Sequence, residues 1–410
     1  MKDKYSYHTL SNGIRIVHKQ VPGQVSHMCL AVKSGSRDEL PHEWGVAHFI
    51  EHMIFKGTKK RKPFHVLARM ENVGGELNAF TAKEETIFYA SFLKPYYHRS
   101  AELLSDIIFN SVFAQKDIDV EKDVVIEEIK SYKDNPAELS FDMFEDLIFE
   151  NHPLGRNILG SVSSIRTMKR KDILSFINRT YTCDQMVIAS VGNISFVKLI
   201  KILEECFGHI PSSKRTYENS VFKENSPENL FVKTNSHQSN SIYGRLSYDM
   251  HNDKKNVFSL INNLLGGPGM NTRLNISIRE KNGYAYAVES SFQPLSDTGF
   301  FSVYFATDKN HVDKTISLIQ NEFHKLKTEK LGTLQLSRAK KQFIGQLALS
   351  GESNLNEMVS MAKSMLFFNQ IDSMADVYKR IESISASDIL EISNDMLNPE
   401  AFSLITIGRK

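Results

Sequence analysis

Val46-Ala47-His48-Phe49-Ile50-Glu51-His52-Met53 sits in a run where Trp44, Ala47, Ile50 and Ile54 recur at helical spacing. On such a helix His48 and His52, four apart, project from one face about a turn from each other. Both imidazoles can reach one ion, and Glu51 lies beside them where a general base is needed rather than a ligand. A catalytic zinc held this way requires a third protein donor from elsewhere. A match of this length arises by chance in roughly a few per cent of such chains, so two incidental histidines are the competing reading. A second acidic helix, Glu121-Lys122-Asp123-Val124-Val125-Ile126-Glu127-Glu128, sets Glu121 and Glu128 seven apart on one face. Alone it reads as a solvated charged face. Beside the histidine pair it offers a carboxylate and strengthens the zinc reading.

Outward from the histidine helix the chain alternates between sheet and helix. Alternating apolar residues over 13–19 and 28–33, on either side of Pro22-Gly23, predict two strands ahead of it. A helix over 63–73 stops at Gly74-Gly75, strand-like text follows over 76–93, and a long helical region with breaks runs over 95–150. A helix over 171–180, a strand over 186–192 and a helix over 196–207 close one α+β unit. The polar segment 211–228, with Ser212-Ser213-Lys214-Arg215 and Ser226-Pro227, has linker composition. The order then begins again, with strands over 230–234 and 242–248, a helix over 254–265, Gly266-Gly267-Pro268-Gly269 and a helix to Lys281. Strands over 286–292 and 299–306, a helix-rich tail and a last strand over 402–407 complete it. The expectation is an α+β fold of two related domains, each a mostly antiparallel sheet packed with helices. Domain 1–210 carries the metal residues, 211–228 is the linker, and 229–410 has no metal site, since no histidine stands around Asn262-Asn263-Leu264-Leu265.

Composition narrows the function. The 410 residues exceed one ordinary domain of about 100–200 residues, and 41% hydrophobic with 24% charged residues is a soluble globular balance. Lysine plus arginine number 50 against 48 acidic residues, so there is no basic footprint and nucleic acid is not an expected partner. Cys29, Cys183 and Cys206 lie far apart in apolar stretches and read as buried free thiols, not as disulfides or thiolate ligands. The first ten residues hold no signal-peptide apolar run, and no stretch of about 20 apolar residues occurs later. A cytoplasmic protein with no membrane partner is expected.

The H-x-x-E-H order reverses that of the common two-histidine zinc helix. Other segments carry a wider likeness: Ser11-Asn12-Gly13, Gly35-Ser36-Arg37-Asp38-Glu39, Phe55-Lys56-Gly57-Thr58, Gly74-Gly75-Glu76-Leu77-Asn78-Ala79, the Glu121 to Glu128 run, His152-Pro153-Leu154-Gly155 and Gly160. With these the chain resembles the pitrilysin, insulysin and mitochondrial processing peptidase family of zinc peptidases, specifically its short members built of two related α+β domains. The likeness spans nearly the whole chain. It implies one zinc per chain on His48, His52 and Glu128, with Glu51 as general base and Glu121 as a carboxylate orienting a zinc histidine. Glu127 would point about 100° away around the helix, whereas Glu128 keeps the spacing to Glu121.

Gly74-Gly75 ahead of Glu76-Leu77-Asn78-Ala79-Phe80 reads either as an ordinary hairpin or as a turn into an edge strand. The resemblance implies the latter, an edge binding extended peptide through main-chain hydrogen bonds at Asn78 and Ala79. Arg279-Glu280-Lys281-Asn282-Gly283-Tyr284-Ala285-Tyr286 resembles the family's R-E-K-x-G-x-A-Y segment. By that likeness Arg279 and Tyr286 help to bind substrate and stabilise the developing oxyanion. Tyr284 departs from the pattern, standing where the family usually has an aliphatic residue. Without a lysine or a fitting strand, Gly266-Gly267-Pro268-Gly269 is no phosphate loop. The resemblance further implies peptide-bond hydrolysis in unfolded or short polypeptides, within a closed chamber made by two halves of this size. The expected assembly is a homodimer, or a heterodimer with a related subunit. The rival is a non-catalytic scaffold or partner subunit of the same fold, which typically lacks the zinc motif.

Overall fold

A computed structural model describes residues 5–220, 222 and 226–409. β1 (Tyr5–Thr9), β2 (Arg15–Gln20) and β3 (Val25–Val32) lead into α1 (Val46–Ile54), α2 (Pro63–Glu71) and a hairpin of β4 (Glu76–Thr81) and β5 (Thr86–Leu93). Next come α3 (Tyr97–Phe109), α4 (Gln115–Lys133), α5 (Pro136–Ile148), α6 (Val162–Thr167), α7 (Arg170–Thr180), β6 (Met186–Gly192) and α8 (Phe196–Phe207). The second series opens with β7 (Asn229–Lys233), β8 (Ser239–Leu246), α9 (Lys255–Gly266), β9 (Ala285–Pro294) and β10 (Gly299–Thr307). It continues through α10 (Val312–Thr328), α11 (Thr333–Gly351), α12 (Asn354–Phe367), α13 (Met374–Ser383), α14 (Ala386–Met396) and β11 (Ser403–Gly408).

Two mixed sheets result, ordered β1-β2-β6-β3-β5-β4 and β7-β11-β8-β10-β9. All pairings are antiparallel except β2 with β6 and β11 with β7. β4 and β9 are edges. This is the two-domain α+β fold expected from the sequence, with the sheets mostly antiparallel. Strand alternation explains the layering, since successive side chains face opposite sides. In the first sheet Ile16, Met28, Leu30, Val32, Phe88 and Ala90 pack with α1 and α3 residues such as Phe49, Ile50 and Leu104. Their neighbours Val17, Cys29, Ala31, Ile87, Val187 and Ala189 meet Met358, Met361, Ala362 and Met365 of α12. The second sheet is covered likewise: Phe301 and Val303 pack with Phe258 and Phe323, while Ile242, Phe300, Ile405 and Ile407 pack with Phe144 and Ile148 of α5.

The covering helices alter the linear division. The chain forms two compact units, one of residues up to 130, 157–219 and 349–373, the other of 131–156, 220–348 and 374–410. A cut at 211–228 therefore misplaces two segments: α5 packs with the second sheet and α12 with the first. An amphipathic helix states that it needs an apolar partner but not which sheet supplies it. The 211–220 segment is also pinned, because the Tyr217 hydroxyl donates to Asp38 at 2.7 Å and Arg215 lies 3.3 Å from the same carboxylate.

Gly45 precedes α1 with φ +89°, and a Cβ there would lie 2.8 Å from Gly160 Cα. Gly160, at φ +81°, is equally closed, so the two glycines meet backbone to backbone where α1 begins. Among the described residues no helix is long and apolar enough to cross a membrane.

Candidate metal centre

Helix α1 turns Val46, Ala47, Phe49, Ile50, Met53 and Ile54 into the core, and the stripe left over carries His48, Glu51 and His52. Its first turn is held by Glu39, whose carboxylate accepts from the Gly45 and Ala47 amides, each at 2.9 Å. A negative charge on these otherwise unpaired donors suits the positive end of the helix. Helix α4 buries Ile118, Glu121, Val125 and Ile129, and the same register brings Glu128 to the histidines.

Donor atoms of His48, His52 and Glu128 lie within 4.8 Å of one another. His48 Nε2 is 3.8 Å from Glu128 Oε1, and His52 Nε2 is 3.4 Å from Glu128 Oε2. The far ring nitrogen of His52 is fixed as well, with Nδ1 2.9 Å from Glu121 Oε1, and Lys56 Nζ reaches Glu121 Oε2 at 2.5 Å. His48 Nδ1 is buried without a hydrogen-bond partner. Two imidazoles and a carboxylate, converging from two helices with one imidazole braced from behind, fit the donor chemistry of a zinc site with an open position. Glu127 faces away: it is exposed and pairs with Lys130 at 2.6 Å.

Burial, with His52 adding to it, lowers the His48 pKa to about 4. Burial would lower His52 too, but hydrogen bonds to Glu121 and Glu128 outweigh it and carry that pKa up to about 9. Its hydrogen bond to His52 holds Glu128 below the usual carboxylate range. For Glu121 burial acts upward, yet His52 and Lys56 together bring it below that range. Glu51 is different. Burial pushes its pKa up, opposed by the Thr81 hydroxyl, which donates to Oε2 at 2.6 Å. A carboxyl of raised pKa beside converging metal donors is suited to taking up and giving back a proton.

Asn78 and Ala79 lie on the edge strand β4, with Asn78 exposed and Ala79 buried. The Asn78 side chain accepts from the Ala79 amide at 2.8 Å, so that amide is already occupied. Arg279 and Tyr286 belong to the other unit. Arg279 lies in a π-helical turn, 4.0 Å from Glu280, and Tyr286 is 77% exposed on the edge strand β9. Tyr284, by contrast, is stacked on His311 with ring centres 4.5 Å apart, so of the two tyrosines Tyr286 is the open one. Three contributors were not singled out from sequence: Thr81, Lys56 and Glu39 in its capping role. For Thr81 the available signal was the strand period, which puts it on the side of Ala79.

Residues 15–162 match the family model described as insulinase (peptidase family M16), and 167–343 match the peptidase M16 inactive domain. A protein of Bacillus subtilis named as an uncharacterized zinc protease is 30% identical over 404 residues, 97% of each chain. One of Mycobacterium tuberculosis, named likewise, is 31% identical over 397 residues, 95% of this chain and 90% of its own. Among solved structures, a protease from Helicobacter pylori superposes with TM-score 0.94 at 20% identity over 100% of both chains. A peptidase M16 inactive domain from Pseudomonas fluorescens gives 0.91 at 20% identity, covering 99% of this chain and 98% of its own. With these relatives and its converging donors, the chain belongs to the insulinase family, peptidase family M16, and is a zinc metallopeptidase.

Proposed function

We propose that the chain is an endopeptidase that hydrolyses internal bonds of unfolded or short polypeptides, using one zinc held by His48, His52 and Glu128. The observation carrying this reading is the three-donor cluster with Glu51 held beside it. Zinc, when bound there, supplies the Lewis acidity that activates water and polarises a carbonyl. Glu51 accepts the proton of the attacking water and passes it to the leaving amine. Glu121 keeps His52 turned with Nε2 toward the donors. An extended substrate lies along β4 at Asn78 and Ala79, with the Asn78 side chain moving off the Ala79 amide. Arg279 and Tyr286 donate to the oxyanion. They are supplied by a second copy of this chain, in a homodimer whose two halves enclose the substrate. Three buried free cysteines support a reducing, cytoplasmic site of action.

Proton competition follows from the His52 pKa. In the metal-free protein its raised value contributes stability fully present below the unfolded value of about 6.5 and lost as pH rises through about 9. Zinc must displace the Nε2 proton, whereas His48 is already neutral at pH 7. Binding at pH 7 is thus expected to release about one proton, with affinity rising about tenfold per pH unit up to about 9. Calorimetry in buffers of different ionisation enthalpy measures this release. A pH-independent affinity would contradict the bridging role of His52.

The test of the proposal pairs elemental analysis with cleavage of an internally quenched peptide blocked at both ends. The expected result is about one zinc per chain and chelator-sensitive cleavage, both lost in His52→Ala. A folded, metal-free and inactive wild type would instead favour the scaffold reading.

A further inference from the structure

Thr81 is the last residue of β4 and pairs with Thr86 across the hairpin. It shares a strand face with Ala79, which is packed in the core cluster containing α1, and its hydroxyl reaches Glu51 Oε2 at 2.6 Å. A half-buried threonine ending a strand needs no carboxylate partner to fold, since water or backbone can satisfy its hydroxyl. Here the hydroxyl instead donates to the Glu51 carboxylate.

One loop fixes both sides of this contact. At the hairpin, Ser36 N donates to Ala82 O at 3.2 Å and Arg37 N to Lys83 O at 2.8 Å. The Arg37 guanidinium meets Glu84 Oε1 at 2.6 Å, the two side chains being 1% and 5% exposed. Gly35 runs so close to the same turn that a Cβ would fall 2.3 Å from Ala82 O. Two residues beyond Arg37, Glu39 grips the first turn of α1 through the Gly45 and Ala47 amides. Residues 35–39 therefore bracket the hairpin that ends β4 against the helix that carries Glu51. A buried ion pair and backbone hydrogen bonds on one side and a capping carboxylate on the other leave little slack between Thr81 and Glu51.

We propose that Thr81 is a positioning residue for the general base. Its hydroxyl, on Oε2, acts with the Thr81 backbone N–H, which also donates to this carboxylate, to hold Glu51 in a single orientation for taking the water proton. Catalytic carboxylates need alignment to within about 0.5 Å, and a carboxylate free to rotate about its last torsion loses it. This inference rests on the zinc peptidase reading above and on Glu51 as its base.

The experiment compares wild type, Thr81→Val and Thr81→Ser for zinc content, kcat and KM on the blocked quenched peptide. Thr81→Val keeps the branched shape and loses the hydroxyl. It is expected to lower kcat about 10–100-fold with KM and zinc content unchanged. Thr81→Ser restores the hydroxyl and is expected to recover most of that loss. Should Thr81→Val fail to fold, Thr81→Ala makes the same comparison with a smaller side chain. An unchanged kcat in the variant lacking the hydroxyl overturns the proposal. So does a loss that follows falling zinc content or rising KM, or one that serine fails to rescue. A zinc-loaded wild type that cleaves nothing overturns the peptidase reading itself, a different result from an active wild type indifferent to Thr81.

Discussion

Glu51→Gln is expected to leave a folded protein that takes up zinc like the wild type and hydrolyses peptides about 10²–10⁴-fold more slowly. The amide has nearly the shape of the carboxylate and keeps an oxygen for the Thr81 hydroxyl. Zinc uptake should survive because Glu51 is not one of the three converging donors, His48, His52 and Glu128. What disappears is the acceptor for the water proton, a group active only once bond-making begins. The loss should therefore appear in kcat and kcat/KM together, with little change in KM. Metal analysis beside steady-state kinetics decides it: undiminished turnover would remove Glu51 from the mechanism, and parallel loss of zinc would make it a structural residue.

The second large effect separates two adjacent carboxylates. Glu128→Gln removes the only anionic donor of the three-residue cluster and is expected to weaken zinc binding by at least about 100-fold, with activity falling alongside. It also takes from His52 one of the hydrogen bonds that raise its pKa, so that histidine should titrate lower than in the wild type. Glu127→Gln should do neither. Its side chain is exposed beside Lys130, and losing a surface ion pair changes stability by at most about 1 kcal/mol. Competition with a chelating dye reads both affinities. If Glu127→Gln lost zinc and Glu128→Gln kept it, the register assigned to α4 would be wrong by one residue.

The legible part of the site was what lies within one turn of helix. His48, Glu51 and His52 share a stripe because of their spacing, and the apolar residues between them assign the opposite face to the core. Glu128 was readable only at one remove, through the seven-residue spacing from Glu121 and a family likeness, because it comes from a separate helix. Thr81 and Glu51 are thirty residues apart, and nothing in either segment reports that a strand end and a helix face will meet. Lys56 and Glu39 stood in segments that carried the likeness, but their tasks, bracing Glu121 and capping α1, exist only in three dimensions. Alternation over 13–19 and 28–33 locates β2 and β3, although β3 begins three residues earlier, whereas β1 is a half-buried edge whose apolar contrast is too weak to signal a strand. The destinations of α5 and α12 could not be read at all. Each has a good apolar face, and both sheets had one to offer.

That exchange of helices has a consequence for how the protein is made. The first sheet is finished in sequence at β6, but its cover arrives with Met358, Met361 and Met365, after about 160 further residues. At about 5–20 residues per second a ribosome needs some 10–30 s to deliver them. Throughout that interval Val17, Cys29, Ala31, Val187 and Ala189 form an apolar surface without its lid on a nascent chain. A chain truncated before residue 354 keeps that surface bare for good.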